Sequence, residues 1–180
     1  MQDSQSNVLK GAAAGLAAGL AATWVMTQFQ NLSGKLVDRP KREDPQHSAK
    51  RGKPESAQQK EQGDDATVKA ADKLSRGLFH HPLSQDEKKV AGPAMHYGFG
   101  ALTGLAYGVL AELAPVVTRG AGAPFGTAVW LGADEVAVPA FGLSGPPWEH
   151  PAPVHARALA AHLVYGAATE GLRKLARRAL

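Results

Sequence analysis

Residues 120–143 read GAGAPFGTAVWLGADEVAVPAFGL, and this stretch decides the fold class because it is apolar along its length except for Asp134-Glu135. A helix of about 20 predominantly apolar residues crosses a hydrocarbon core about 30 Å thick. A carboxylate at the centre of such a helix costs about 2.5–3.5 kcal/mol on insertion scales, so it usually faces protein or a watery cavity. The stretch therefore predicts a membrane helix with a polar face turned toward neighbouring helices.

Three more apolar runs, at 8–29, 90–117 and 154–175, accompany this one. Together the four runs predict an all-α, polytopic membrane protein with about four transmembrane helices, and the lipid bilayer is then its main partner. Two alternatives stay open. The first run also fits a secretory signal peptide with Lys10 as its charged flank, and Ala/Gly-rich runs also occur in soluble helical bundles.

The chain divides into three parts on this interpretation. Residues 1–30 hold the first transmembrane helix, 31–89 form a long polar loop between helices 1 and 2, and 90–180 form a three-helix membrane core with a basic C-terminus. The loop is predicted to be largely disordered because prolines are scattered among charges and apolar residues are almost absent after Val37.

Two local patterns lie at the end of the loop. Residues 66–79 predict an amphipathic helix, which either lies along the membrane surface or stays solvated; its apolar side carries Val68, Ala71, Leu74 and Leu78. Residues 84–87 read Ser-Gln-Asp-Glu, a capping box. The second transmembrane helix is therefore expected to begin before the membrane.

Glycines recur at every fourth residue in two of the runs. Residues four apart share one face of a helix, and a stripe of glycines lets two helix backbones approach closely, as membrane helices do. The sequence therefore predicts helix packing through Gly-rich faces, formed by Gly11, Gly15 and Gly19 and by Gly100, Gly104 and Gly108.

Composition excludes several classes of site. The chain has no cysteine, so a disulfide framework and thiolate-ligated metals are excluded. The net charge of +4 comes without a basic face or stacking aromatic residues, and nucleic acid is therefore not an expected partner. The sequence carries no phosphate-binding loop, nucleophile elbow or paired metal-ligand motif. We therefore expect neither a cofactor nor a resident metal, and a protein that is not an enzyme.

The second half resembles the YagU-like family of uncharacterised bacterial inner-membrane proteins. The resemblance covers residues 90–178 and rests on AMHYGFG at 94–100 with YGVLAE at 107–112, ADEVAVPAFGL at 133–143 and PPWE at 146–149. It implies a multi-pass protein of the bacterial inner membrane with cytoplasmic termini, and an association with acid-stress survival. It implies no catalytic or binding residue, because none is defined for the family.

Polar side chains on the last three runs form the candidate site. Asp134 and Glu135 are joined by His96, His162 and Arg157 on neighbouring helices, and Pro139 adds a local feature because it lacks the N–H that would bond the carbonyl of Glu135. The groups predict a buried protonatable cluster that binds solute or handles protons.

Other interpretations of these groups remain open. The side chains could only pair helix to helix, with Arg157 or His162 opposite Asp134, or could line a path for protons, ions or small solutes. A hard metal site of His96, Asp134, Glu135 and His162 is a third alternative. A membrane scaffold that acts through the charged loop is a fourth, and its partners would be a second copy or another membrane protein. The function expected from the sequence is an integral inner-membrane protein, linked to acid or envelope stress, with this cluster as its polar site.

Overall fold

The computed structural model describes residues 2–37 and 65–180. The disorder predicted between the first and second transmembrane helices falls largely on residues 38–64, which lie outside the described residues. The described ranges contain helices, turns and bends and no strand, so the all-α prediction is confirmed for them. The helices are α1 (Gln2–Val37), α2 (Ala66–Phe79), α3 (Gln85–Leu113), α4 (Ala123–Trp130, Leu131–Ala137 and Val138–Ala140 without a break) and α5 (Ala152–Ala179), with short 3-10 turns at Pro115–Thr118 and Pro147–Glu149.

One helix in these ranges is long and apolar enough to cross a membrane, namely α1 over Gln5–Lys35. Helix α5 is long but carries several ionised residues, α3 begins with a charged turn, and α4 changes register along its length. By length and composition alone, membrane association thus rests on a single span, whereas the sequence predicts four.

The segment before α3 is built from caps and turns that its sequence encodes. The Asp65 carboxylate accepts from the Val68 amide at the start of α2 (2.9 Å). Ser84 and Glu87 form the capping box of α3, in which the Ser84 amide donates to the Glu87 carboxylate (2.7 Å). Asp72 of α2 accepts from the Leu83 amide (2.7 Å), so α2 is held against the start of α3. The structured end of the 31–89 segment is therefore a helical hairpin.

Helices α1 and α3 pack antiparallel through their glycine stripes. A Cβ on Gly15 would overlap the carbonyl oxygen of Gly104, and the flanking pairs Gly11–Gly108 and Gly19–Gly100 are equally close. A second seam joins α4 to α5, where Gly122 and Gly166 approach backbone to backbone. Side chains larger than hydrogen do not fit at these contacts, which is why the seam consists of glycine.

The distribution of polarity differs from that in a typical water-soluble globule. Most of the buried positions are occupied by small or polar residues, among them Ala14, Ala18, Thr23, Thr169 and the charged Glu170. Large apolar side chains lie on the surface instead, as Leu9 (71% exposed) and Trp148 (83% exposed) illustrate. Further exposed ones are distributed over every helix: Leu20, Leu32, Leu78, Phe79, Phe99, Leu102, Leu110, Val136, Phe141 and Val154.

Candidate functional site

A cavity of about 430 Å³ lies among α1, α3, α4, α5 and the first turn of α2. Most of its wall is apolar, from residues such as Met26, Met95, Phe99 and Phe141. Its polar side chains are Thr23, Gln30, Asp65, Thr67, His96, Thr103, Asp134, His162 and Tyr165. Three of the predicted site residues, His96, Asp134 and His162, thus come together in one place.

Asp134 enters the cavity from a π-helical stretch of α4. The Val138 amide donates to the carbonyl of Ala133, five residues earlier, and the next residue, Pro139, has no amide hydrogen to donate. Such wide turns are rare and are frequently found at functional sites. Helix α4 then ends in a Schellman motif, in which Gly142 (φ 61°) donates to Pro139 and Leu143 to Val138. The sequence identifies Pro139 as the local feature of this helix but does not predict the wider register.

Asp134 and His162 form the closest charged contact in the cavity. The distance from Asp134 Oδ2 to His162 Nδ1 is 3.6 Å. The same nitrogen lies 2.9 Å from the carbonyl of Ala158, to which it donates when it carries the proton. Helix α5 comes this near to α4 because Gly126 lets the backbone of His162 approach. The predicted pair of Asp134 and His162 therefore lies together in the structure, although the distance between the two atoms is longer than that of a direct hydrogen bond.

His96 faces the same cavity from α3. Its Nε2 atom is buried and has no hydrogen-bond partner within residues 2–37 and 65–180. Beside it, the Tyr165 hydroxyl donates to the carbonyl of Gly100 (2.6 Å) and lies 2.8 Å from the Thr103 hydroxyl. Tyr165 is a site residue that the sequence analysis missed, although its place three residues after His162 puts both on one face of α5.

Glu135 belongs to a different contact. Its carboxylate lies 2.6 Å from Nδ1 of His155, whose Nε2 lies 3.0 Å from the carbonyl of Pro147. Both ring nitrogens therefore face oxygen acceptors, and the imidazolium form donates to both. This histidine ties α4 to the turn before α5. Because Glu135 faces it, the candidate metal set of His96, Asp134, Glu135 and His162 does not converge, and the described residues contain no other group placed to hold a metal.

Arg157 lies outside the cavity. Its side chain is exposed on α5, and its guanidinium lies near Gly34 of α1. The predicted pairing of Arg157 with Asp134 is therefore wrong for this structure. The reason is geometric, since Arg157 follows His155 by two residues and so points away from the face of α5 that meets α4.

A second polar cluster lies near the C-terminal end of α5. Glu170 is 2% exposed and binds Arg173 through both carboxylate oxygens (2.8 and 3.1 Å) and Lys174 (3.0 Å). One turn further, Arg177 donates to Glu112 of α3 (2.9 Å) and to Asn7 of α1 (2.9 Å). Arg177 therefore joins α5 to α1 and α3 at this end, whereas the pair of Glu170 and Arg173 lies within α5.

A family model described as "Protein of unknown function (DUF1440)" matches residues 76–171, more than half of the chain, and the chain belongs to that family. The matched range contains His96, Asp134 and His162 but not α1. No curated protein and no solved structure shows significant similarity to the chain.

Proposed function

We propose that this DUF1440 protein is a multi-pass integral protein of the bacterial inner membrane, and that the cavity around Asp134 is its protonatable site for a small solute. Helices α1, α3, α4 and α5 would be the four spans, and α2 would lie at the membrane surface. The observation that carries the proposal is the apolar surface of the bundle, where many large apolar side chains are exposed while most buried positions hold small or polar residues.

Lipid explains this surface better than water does. Soluble monomers rarely expose contiguous apolar patches beyond a few hundred Å², whereas here Leu, Phe and Val side chains project from every helix. Lipid tails offer no hydrophobic drive between helices, so membrane bundles associate through close backbone contact at small residues. The Gly11–Gly108 and Gly122–Gly166 contacts are of this kind.

The polar groups inside the bundle support a functional site. Ionisable residues within membrane spans usually face a bundle interior and commonly mark proton or substrate paths. Asp134 and His162 lie 3.6 Å apart at a cavity rather than filling a packed contact. A carboxylate and an imidazole this close can exchange a proton once a small side-chain movement brings them to hydrogen-bond distance. The YagU-like resemblance adds an association with acid stress to the same proposal.

The absence of cysteine makes the topology directly testable. Single cysteines would be introduced by Ser144→Cys, in the turn between α4 and α5, and by Leu180→Cys, at the other end of α5. The proposal predicts that the protein stays in membranes after alkaline-carbonate extraction. It also predicts that an impermeant maleimide labels Ser144→Cys from outside and Leu180→Cys only after permeabilisation. Release by carbonate, or labelling of both cysteines from one side, would contradict it.

The protonatable site is tested in proteoliposomes under an imposed pH gradient. We expect the pH gradient to drive a flux of protons or solute across the vesicle membrane. Asp134→Asn should reduce this flux at least tenfold. The matched control is Glu135→Gln, which removes the same charge one residue away but outside the cavity. Equal flux in the wild type and Asp134→Asn would leave the carboxylate with a packing role only.

A further inference from the structure

The charges that line the cavity around Asp134 point to a specific class of solute. We propose that the cavity binds an organic cation with an apolar body, whose positive group lies against the Asp134 carboxylate. This inference rests on the proposed function, since it names the solute class for the same site. It goes beyond that function because protonation alone needs no room for an organic molecule.

The first argument is the sign of the charge. The acidic side chains among the described lining residues are Asp134 and Asp65, and no lysine or arginine is among them. Lys73 lies close by but donates to the main-chain carbonyl of Phe141 (2.5 Å). Asp65 is already engaged in capping α2. The cavity therefore presents one carboxylate that has no guanidinium or ammonium partner among the described residues.

The second argument is the remaining polar capacity around that carboxylate. Its nearest basic group is His162, at 3.6 Å, and that histidine also faces a main-chain carbonyl. Across the cavity, the buried Nε2 of His96 has no partner in the described part of the chain and can accept a hydrogen bond from an ammonium group. Side chains lining the site thus leave both a negative charge and an acceptor for a ligand to satisfy.

The third argument is the rest of the wall. The wall includes three aromatic residues, Phe99, Phe141 and Tyr165, and two methionines, Met26 and Met95. Aromatic faces attract cations and apolar groups alike. A volume of about 430 Å³ lies within the range of small-molecule sites, which are mostly apolar with a few placed polar groups. This wall suits a hydrophobic ammonium ion that carries N–H groups better than a metal ion or a sugar.

The test uses the full chain in nanodiscs of zwitterionic lipid and three probes of nearly the same shape. Benzylammonium is a cation with N–H donors, ethylbenzene is its neutral isostere, and phenylacetate is an anion. Isothermal titration, with empty nanodiscs subtracted, is expected to show saturable one-to-one binding of the cation and at least tenfold weaker binding of the other two. Equal affinity for the cation and its neutral isostere, or no saturable cation binding, would overturn the inference.

The variants separate the site from general electrostatics. Asp134→Asn is expected to weaken cation binding at least tenfold, whereas Glu135→Gln should change it less than threefold. An equal loss in both variants would overturn the inference. If Asp134→Asn does not accumulate in the membrane, Ala133→Leu replaces it as the test variant. The larger side chain fills the cavity without changing its charge and should abolish binding. Unchanged affinity in that variant would place the ligand elsewhere.

The proposed function and the solute class fail in different ways. Carbonate extraction is performed first, and release of the chain contradicts membrane integration whatever the titration shows. A chain that stays in the membrane and supports pH-driven flux but binds no organic cation contradicts only the solute class.

Discussion

Replacing Gly104 by alanine tests whether the glycine seam between α1 and α3 holds the bundle together. A Cβ at this position would lie 2.5 Å from the carbonyl oxygen of Gly15 and 2.6 Å from the Cα of Gly19. Ordinary contacts of a Cβ begin at 3.4 Å, so the two helices must separate by about 1 Å. Both neighbouring atoms belong to backbone, and no side chain can rotate away to relieve the overlap.

The size of the effect follows from two opposing contributions. Alanine favours a helix over glycine by about 0.8–1 kcal/mol. Overpacking costs about 1–3 kcal/mol, and here it loosens three successive glycine contacts, because a gap of 0.5–1 Å forfeits about a quarter to a half of each dispersion contact. We therefore expect Gly104→Ala to lower the free energy of unfolding by about 1–3 kcal/mol in spite of the better helix propensity.

Gly98 provides the matched control because it lies on the same helix and a Cβ there would meet nothing within 4 Å. Gly98→Ala should leave stability unchanged or raise it by up to about 1 kcal/mol. Both variants would be unfolded with SDS in mixed micelles and followed by circular dichroism. If Gly104→Ala proved as stable as Gly98→Ala, the close approach of α1 and α3 would not be a stabilising contact and the reasoning would fail.

Three further predictions concern the buried ion pair, the π-helical turn and the cap of α3. Glu170→Gln leaves the buried Arg173 without its main partner, so we expect a loss of about 3–5 kcal/mol in the same unfolding assay, and adding Arg173→Met should restore at least half of it. Pro139→Ala restores an amide hydrogen to α4 and should convert the wide turn to ordinary α-helix. The flux driven by the pH gradient is then expected to fall at least threefold while the chain stays folded. Unchanged flux would mean that the wide turn does not position the acidic pair. At the start of α3, hydrogen bonds with Ser84 lower the pKa of Glu87. Because the folded-state pKa is the lower one, the cap stabilises fully above the ordinary carboxyl pKa of about 4.3 and is lost as pH falls through the lowered value. Protection factors for amide exchange in the first turn of α3 should drop over that window, and Glu87→Gln should show no such drop.

Features encoded by neighbouring or periodic residues could be predicted from the sequence. The cap at Ser84 is local, and the helix at Ala66–Phe79 occupies the range in which the periodic pattern predicts one. The glycines of α1 and those of α3 each recur at every fourth residue, and this spacing indicates which helix faces meet, as they do at Gly15 and Gly104. Periodicity also places His96 and His162 on inward faces, and the structure shows both at one cavity.

Features that depend on a partner from another helix could not be predicted. Asp134 and Glu135 are adjacent and chemically alike, so the sequence does not show which of them faces the cavity; in the structure Asp134 faces His162 and Glu135 faces His155. Arg173 looks like part of a basic tail suited to lipid headgroups. Only the tertiary structure shows that it is buried beside Glu170.

The equal spacing of the glycines in α1 and α3 also means that the seam by itself does not select a single alignment. If α1 slid along α3 by one step of four residues, about 6 Å, two of the three glycine pairs would still match. Arg177 favours the observed alignment at the end of the bundle, where it binds both Asn7 of α1 and Glu112 of α3. Such a slide would carry Asn7 out of reach of that guanidinium. Arg177 on α5 thereby contributes to choosing one register for two helices whose glycine seam accommodates several.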